Sequence, residues 1–233
     1  MAFSRLEGLR TARFADVPAD CHEDLDPGIT EIEEWHDWFA RDTTADQLRI
    51  EDYLERTGVR NLSILHIGVG NSSLASRFSE QAAVIVGTTL SPNEKHAGEQ
   101  LGLPNYSVHI HNKFSADRPL WGPRRFDVIV DNNPTTFCCC WRHFSAMMES
   151  YAQLLKPGGK LVTDRVGLGW VASNPKVSRR WRFSFDDLSV TAEAFGLKAS
   201  AVDEFTYRLD RPMNPARRLI RRIARPLRKM IGR

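Results

Sequence analysis

Cysteine is scarce in this sequence and long apolar runs are lacking. Four cysteines occur in 233 residues, three of them consecutive as Cys138-Cys139-Cys140, with Cys21 far upstream. Three adjacent side chains cannot all turn toward one tetrahedral metal or pair into an ordinary disulfide framework, so reduced thiols packed as small apolar residues are expected and no metal is assigned. No window approaches the roughly 20 apolar residues of a spanning helix. Met1-Ala2-Phe3-Ser4-Arg5 does not open a signal peptide. Those absences predict a cytoplasmic protein. Repeats and low-complexity tracts are missing as well, and the length suits one α/β core with flanking helices rather than two full domains.

Charge of one sign is short over most of the chain. The formal net charge is +3, yet residues 211–233 hold nine lysines and arginines and no acid, which leaves the preceding 210 residues at −6. An acidic body argues against nucleic acid as a partner. Within 215–233, Leu219, Ile220, Ile223, Leu227, Met230 and Ile231 recur at helical spacing among arginines, interrupted by Pro226. Such a basic amphipathic segment suits an anionic membrane surface, on the inner face of the membrane. A solvated tail, or a helix docked on the acidic body, is the alternative.

What is present is a β-α alternation. Apolar spacing predicts helices over 31–40 and 44–56. Short β-rich runs follow at 62–67, 83–87, 106–110, 126–130 and 160–163, with helices predicted after the first two and over 144–155 before the last. A helix over 185–195, capped by Gly196, leads into a last strand or hairpin at 198–209. This order predicts a doubly wound, mostly parallel sheet with helices on both faces and ligands at the carboxyl ends of the strands. Three regions are expected: an N-terminal helical cap over 1–60, the sheet domain over 61–210, and the basic tail over 211–233.

Four landmarks stand in order along that alternation: the turn His66-Ile67-Gly68-Val69-Gly70-Asn71, the strand end Val86-Gly87-Thr88-Thr89-Leu90-Ser91-Pro92, the strand Phe126-Asp127-Val128-Ile129-Val130-Asp131, and Leu154-Leu155-Lys156-Pro157-Gly158-Gly159-Lys160-Leu161. Together they resemble the class I S-adenosylmethionine-dependent methyltransferase superfamily, over roughly residues 61–209. Nicotinamide dehydrogenases share the sheet, but their fingerprint wants a third glycine where Ser73 stands and a ribose-gripping acid at the end of the second strand.

The resemblance implies a Rossmann-like methyltransferase fold, S-adenosyl-L-methionine as cofactor, and a donor site built from His66, Gly68, Gly70, Asn71, Thr89, Asn112 and Asp131. Backbone without Cβ atoms at Gly68 and Gly70 can approach the donor closely. The superfamily's usual acids are replaced here by His66, Thr89 and Asn112, and a hydroxyl or amide is a weaker partner for a ribose diol than a carboxylate.

On the acceptor side the resemblance points to Asp131 as general base or positioning carboxylate, with capping of the next turn as its structural alternative. Asn132 and Asn133 follow as candidate acceptor contacts, and His143 as a second candidate base. Asp131 and Asp164 stand where metal-dependent catechol-type enzymes place acids, but Arg165 occupies the position of a ligating Asn and suits an anionic acceptor instead. Trp35, Trp38 and Phe39 suit either a lid over the acceptor or core packing. The function expected is methyl transfer to a hydroxyl of a glycan, lipid-linked or small-metabolite acceptor. A non-catalytic binding or scaffold protein on the same fold, and an N-methyltransferase, are the alternatives.

Overall fold

A computed structural model describes residues 2–22, 38–115, 123–169 and 181–213. Seven strands form one sheet: β1 (Ser63–Ile67), β2 (Val84–Thr89), β3 (Tyr106–Ile110), β4 (Phe126–Val130), β5 (Leu155–Asp164), β6 (Lys198–Ala201) and β7 (Thr206–Asp210). Their spatial order is β3-β2-β1-β4-β5-β7-β6. The first five are parallel, and β7 runs antiparallel between β5 and β6. The order reverses between β1 and β4, so the ends of those two strands open the crevice where such sheets take ligands.

Strand alternation splits the core into two layers. On one face, Leu65, Ile67, Ile129 and Leu161 pack with residues of α1 (Ala2–Arg13), α5 (Trp141–Leu154) and α7 (Phe185–Ala194). On the other, Ile64, Ile85, Val128 and Val162 pack against Ile50 and Leu54 of α2 (Ala45–Thr57) and Leu74 and Phe78 of α3 (Ser73–Phe78). Helix α4 (Pro92–Gln100) follows β2, and the short α6 (Arg165–Gly169) follows β5.

The predicted strands, and the predicted helices other than that over 31–40, fall close to where the sequence puts them, with one difference that has a physical cause. The Pro157-Gly158-Gly159 stretch, whose composition is that of a tight turn, lies inside β5, because Gly158 N–H donates to Arg211 O at 2.9 Å and Gly159 O accepts from Arg211 N–H at 2.9 Å. A Cβ on Gly159 would meet the carbonyl oxygens of Lys156, Phe126 and Asp127 at 2.9–3.1 Å, so the irregular pairing with β4 needs glycine there.

The start of the N-terminal segment packs on the main core through Leu6, Phe14 and Val17. Phe14 sits among Trp141, Trp181 and Phe183, and the two tryptophan rings stack at 5.5 Å. Each such ring withdrawn from water contributes about 1.5–3 kcal/mol, which holds the segment against α5. Of the helix expected over 31–40, only a 3-10 turn, Trp38–Ala40, falls among the described residues. The basic segment 215–233 and Trp35 lie outside them. No helix of the described residues is long and apolar enough to cross a membrane.

Candidate functional site

The turn after β1 is shaped by glycine. Gly68 and Gly70 have positive φ, +72° and +51°, and a side chain on Gly68 would meet nothing within 4 Å. Gly68 and Val69 N–H groups both donate to Thr88 O, at 2.9 and 3.0 Å, which ties the turn to the end of β2. The turn therefore presents open backbone at the sheet's carboxyl edge, as the resemblance implies for a donor site. Gly87, one strand over, keeps the turn seated: a Cβ there would collide with the Val69 side chain.

Thr89 stands where an acid was missing, and the structure supplies one from elsewhere. Glu94, in the first turn of α4, is buried and accepts the Thr89 hydroxyl proton at one carboxylate oxygen. Its other oxygen takes the Trp38 N–H at 2.9 Å. In the sequence Glu94 reads only as a first-turn helix acid, five residues past Thr89, and nothing in a linear pattern signals that it folds back to the strand end.

The same contact fixes Trp38 beside the glycine turn. Trp38 lies over the glycine turn, its Cβ 3.5 Å from where a Gly70 side chain would begin, with the Arg41 guanidinium 4.7 Å above its ring. Asn71 Nδ2 donates to Arg41 O at 2.9 Å and Thr43 Oγ1 at 3.0 Å, while its Oδ1 takes Ser73 N–H at 3.1 Å. The Asn71 side chain, expected at the donor, is thus occupied in fastening the 41–43 segment and starting α3. Phe39 of the expected lid is exposed.

His66 ends β1 beside Val130 and Gly87. It is buried, its Nδ1 has no hydrogen-bond partner among the described residues, and burial pulls its pKa down to about 4, so the ring is neutral. A buried polar nitrogen left unsatisfied is costly unless something else bonds it. Asn112, after β3, is also buried, and its Oδ1 accepts Phe114 N–H at 3.0 Å.

On the acceptor side, Asp131 is sealed from solvent and its carboxylate is fully engaged. Lys113 Nζ donates to both oxygens at 3.1 Å, Tyr151 OH donates at 2.7 Å, and Asn133 N–H at 3.1 Å. Lys113 also reaches Asn133 O at 2.7 Å. Burial lowers the Lys113 pKa against the opposing pull of Asp131, and burial with the Asp131 charge raises that of Tyr151 well above its ordinary value. This geometry makes Asp131 the knot that orders Asn132 and Asn133, with the turn-capping bond in place. These four bonds hold both carboxylate oxygens within the protein.

Asp164 is likewise buried and engaged, gripped by Arg49 at 2.8 and 3.0 Å and by Val166 N–H at 2.8 Å. Both acids that could have shared a magnesium ion therefore carry a cation of the chain's own. Asn132 Nδ2 donates to Asp46 Oδ2 at 2.8 Å, so α2 closes over the loops after β4 and β5. Arg165 lies half-exposed over the Phe205 ring at 4.7 Å, with Glu204 at 3.4 Å, facing the β6-β7 hairpin. Lys113, Tyr151 and Arg49, none singled out by sequence, thus order the acceptor side.

His143 departs most from its expected role. Its Nδ1 points at three sulfurs, Cys139 and Cys140 at 3.1 Å and Cys21 at 3.3 Å, rather than toward Asp131. It stands eight residues before Tyr151 on α5, about 12 Å of helix rise. Cys138 alone packs as expected, buried, with its thiol on Cys140 O at 3.3 Å. Burial pushes the Cys139 thiol far above its ordinary value, and Cys140 and Cys21 add to it.

No family model and no curated protein matches the sequence. Solved structures do match the fold. The N-methyltransferase NodS from Bradyrhizobium japonicum, in complex with S-adenosyl-L-homocysteine, superposes with a TM-score of 0.55 at 14% identity, over 75% of this chain and 94% of that one. The sugar N-methyltransferase KedS8 from Streptoalloteichus sp. gives 0.55 at 16% identity over 74% and 89%. CalS10, an S-adenosylmethionine-bound amino pentose methyltransferase from Micromonospora echinaspora, gives 0.52 at 13% over 70% and 89%. The chain has the class I methyltransferase fold.

Proposed function

We propose that this protein is an S-adenosylmethionine-dependent methyltransferase whose acceptor is a hydroxyl of a glycan, lipid-linked or small-metabolite molecule. The observation that carries the reading is Glu94 at Thr89: a buried carboxylate stands at the end of β2, where a ribose diol needs one, although the strand itself lacks it. The open backbone at Gly68 and the unpartnered His66 Nδ1 fit the same ligand, one giving close approach and the other a buried polar atom in want of a partner.

In this reading Gly68, Gly70 and His66 hold the methionine part of the donor, Thr89 and Glu94 the ribose, and Asn112 the adenine side. S-adenosylmethionine supplies an electrophilic methyl on a sulfonium. The chain's own contribution is alignment and exclusion of water. Trp38 and the 41–43 segment cover the donor turn, while the Lys113-Asp131-Tyr151 knot fixes Asn132 and Asn133 where an acceptor would enter. Asp131 acts as a positioning residue, and Arg165 offers a half-exposed guanidinium to an anionic acceptor group.

Transfer to an amine is the second reading, favoured by the fold's likeness to a sugar N-methyltransferase and an amino pentose methyltransferase. Calorimetry with S-adenosylmethionine, followed by incubation with an acceptor panel and mass and linkage analysis of products, separates the cases. An O-methyl product supports the first reading and an N-methyl product the second. Binding with no product across the panel favours a non-catalytic scaffold, and absence of binding overturns the donor site. The 215–233 segment is proposed to contact an anionic membrane surface, on its sequence pattern alone. Vesicle flotation should retain the full chain and lose one ending at Asp210, and equal behaviour rejects that contact.

A further inference from the structure

Outside the donor and acceptor sites, four side chains converge at the start of α5. Cys21 Sγ, Cys139 Sγ, Cys140 Sγ and His143 Nδ1 all lie within 4.8 Å of one another. The separations are 3.6 Å between Cys21 and Cys139 sulfurs, and 3.1, 3.1 and 3.3 Å from Nδ1 to the three sulfurs. Ligands at about 2.3 Å (sulfur) and about 2.0 Å (nitrogen) around one tetrahedral ion stand about 3.8 and 3.5 Å apart along the edges. These four separations are each slightly shorter than the matching edge, and the remaining two sulfur pairs lie within 4.8 Å.

Hydrogen bonding does not account for this convergence. An imidazole nitrogen has a single proton or a single lone pair, so Nδ1 can form one good bond, and three sulfurs at hydrogen-bond distance leave two unexplained. A common centre explains all three.

The backbone is built to present these ligands. Cys140 is the extended N-cap of α5, with φ −156° and ψ 167°, and His143 sits three residues on, along the same helix face. Cys138 turns away to Cys140 O, so only two of the three consecutive cysteines face the centre, which removes the steric objection drawn from the sequence. The fourth ligand arrives on an arm anchored by other bonds. Pro18 O and Ala19 O accept the first N–H groups of α5, from Trp141 at 2.9 Å and Arg142 at 3.0 Å, and Asp20 pairs with Arg142 at 2.8 Å.

We propose that Cys21, Cys139, Cys140 and His143 bind one zinc ion in a Cys3His site. Thiolate and imidazole in tetrahedral array select zinc among common divalent ions, and four atoms this close enclose a single ion rather than an iron–sulfur cluster. Four protein ligands close the coordination shell, so the ion is structural. It fastens the N-terminal arm to α5, the helix whose Tyr151 holds Asp131. On binding, the three thiols release their protons and the thiolates coordinate, with no change of oxidation state.

The test begins with the full chain purified under reducing conditions without chelator, with metal content measured by mass spectrometry. About one zinc per chain is expected, and cobalt(II) replacement should give thiolate charge-transfer bands with the ligand-field absorption of a tetrahedral site. Cys21→Ser and His143→Gln should lose the stoichiometric metal, while Cys138→Ser keeps it. X-ray absorption at the zinc edge of the unmutated protein, which does not depend on variants folding, should give three sulfurs and one nitrogen.

A chain that takes up neither zinc nor cobalt overturns the proposal. So does a Cys21–Cys139 disulfide as the resting state, full zinc retention by Cys21→Ser, or a first shell of oxygen and nitrogen. None of these outcomes bears on the donor site, so the two readings fail separately.

Discussion

Glu94 and Thr89 are joined side chain to side chain at the end of β2, the carboxylate of a helix residue accepting from the hydroxyl of a strand residue five positions earlier. The pair restores negative charge at the place where the strand sequence lacks it. Replacing Glu94 by Gln keeps the shape and removes the charge. Charge-assisted bonds are roughly twice as strong as neutral ones, so S-adenosylmethionine affinity should fall about tenfold, about 1.4 kcal/mol. Calorimetry reads it, and an unchanged Kd would remove Glu94 from the donor site.

The Lys113-Asp131-Tyr151 knot supports a stability prediction. Lys113→Met leaves the Asp131 carboxylate buried without its cation, a change that costs about 3–5 kcal/mol. Tyr151→Phe deletes one neutral donor to the same carboxylate and should cost about 1–2 kcal/mol. Urea unfolding of both variants checks the order. If Lys113→Met were the milder of the two, the ion pair would not be the organising contact.

The sheet was legible because its signals are local. Apolar runs such as 126–130, and turns such as Gly68 to Gly70, announce themselves within a few residues. The glycine turn and the ends of β2 and β4, where Thr89 and Asp131 stand, are legible in that way. Glu94, Lys113, Arg49 and Cys21 were not, because each acquires its role from a partner that only the fold brings near: Arg49 meets Asp164 across 115 positions, and Cys21 meets Cys139 across 118. Asp131, Asn71 and His143, whose sequence readings are base, donor contact and base, each meet partners that the sequence does not show. Each identity suits several roles, and the neighbours decide which one the side chain performs.

His66 makes stability depend on pH in a definite direction. Its pKa is about 4 in the fold against an ordinary 6.5. As pH falls, the unfolded chain gains the proton first, so the stability present above pH 6.5 declines from there to about pH 4, by about 3 kcal/mol in all. His66→Asn should remove that limb of the profile while leaving the carboxylate-driven losses at lower pH. Urea midpoints measured across the window compare the two. Parallel profiles would mean that the ring is not held neutral by burial.

Gly167 in α6 tests how the acceptor loops are joined. A Cβ there would overlap the Asn132 carbonyl oxygen and lie 2.6 Å from its carbon, and these are backbone atoms that no rotamer change can move. The loop after β4 is stitched to α6 at the same place, where Thr135 Oγ1 reaches Leu168 O at 3.4 Å and Thr136 Oγ1 reaches Gly167 O at 3.5 Å. Gly167→Ala must therefore push Asn132 and Asn133 away from β5, at a cost of about 3 kcal/mol or more. Gly169→Ala, in the same short helix, meets nothing within 4 Å among the described residues and should change stability by less than about 1 kcal/mol. Thermal unfolding of the pair separates crowding from helix propensity. Methyl transfer should fall in the first variant and persist in the second, because only the first displaces the residues held by Lys113 and Asp131.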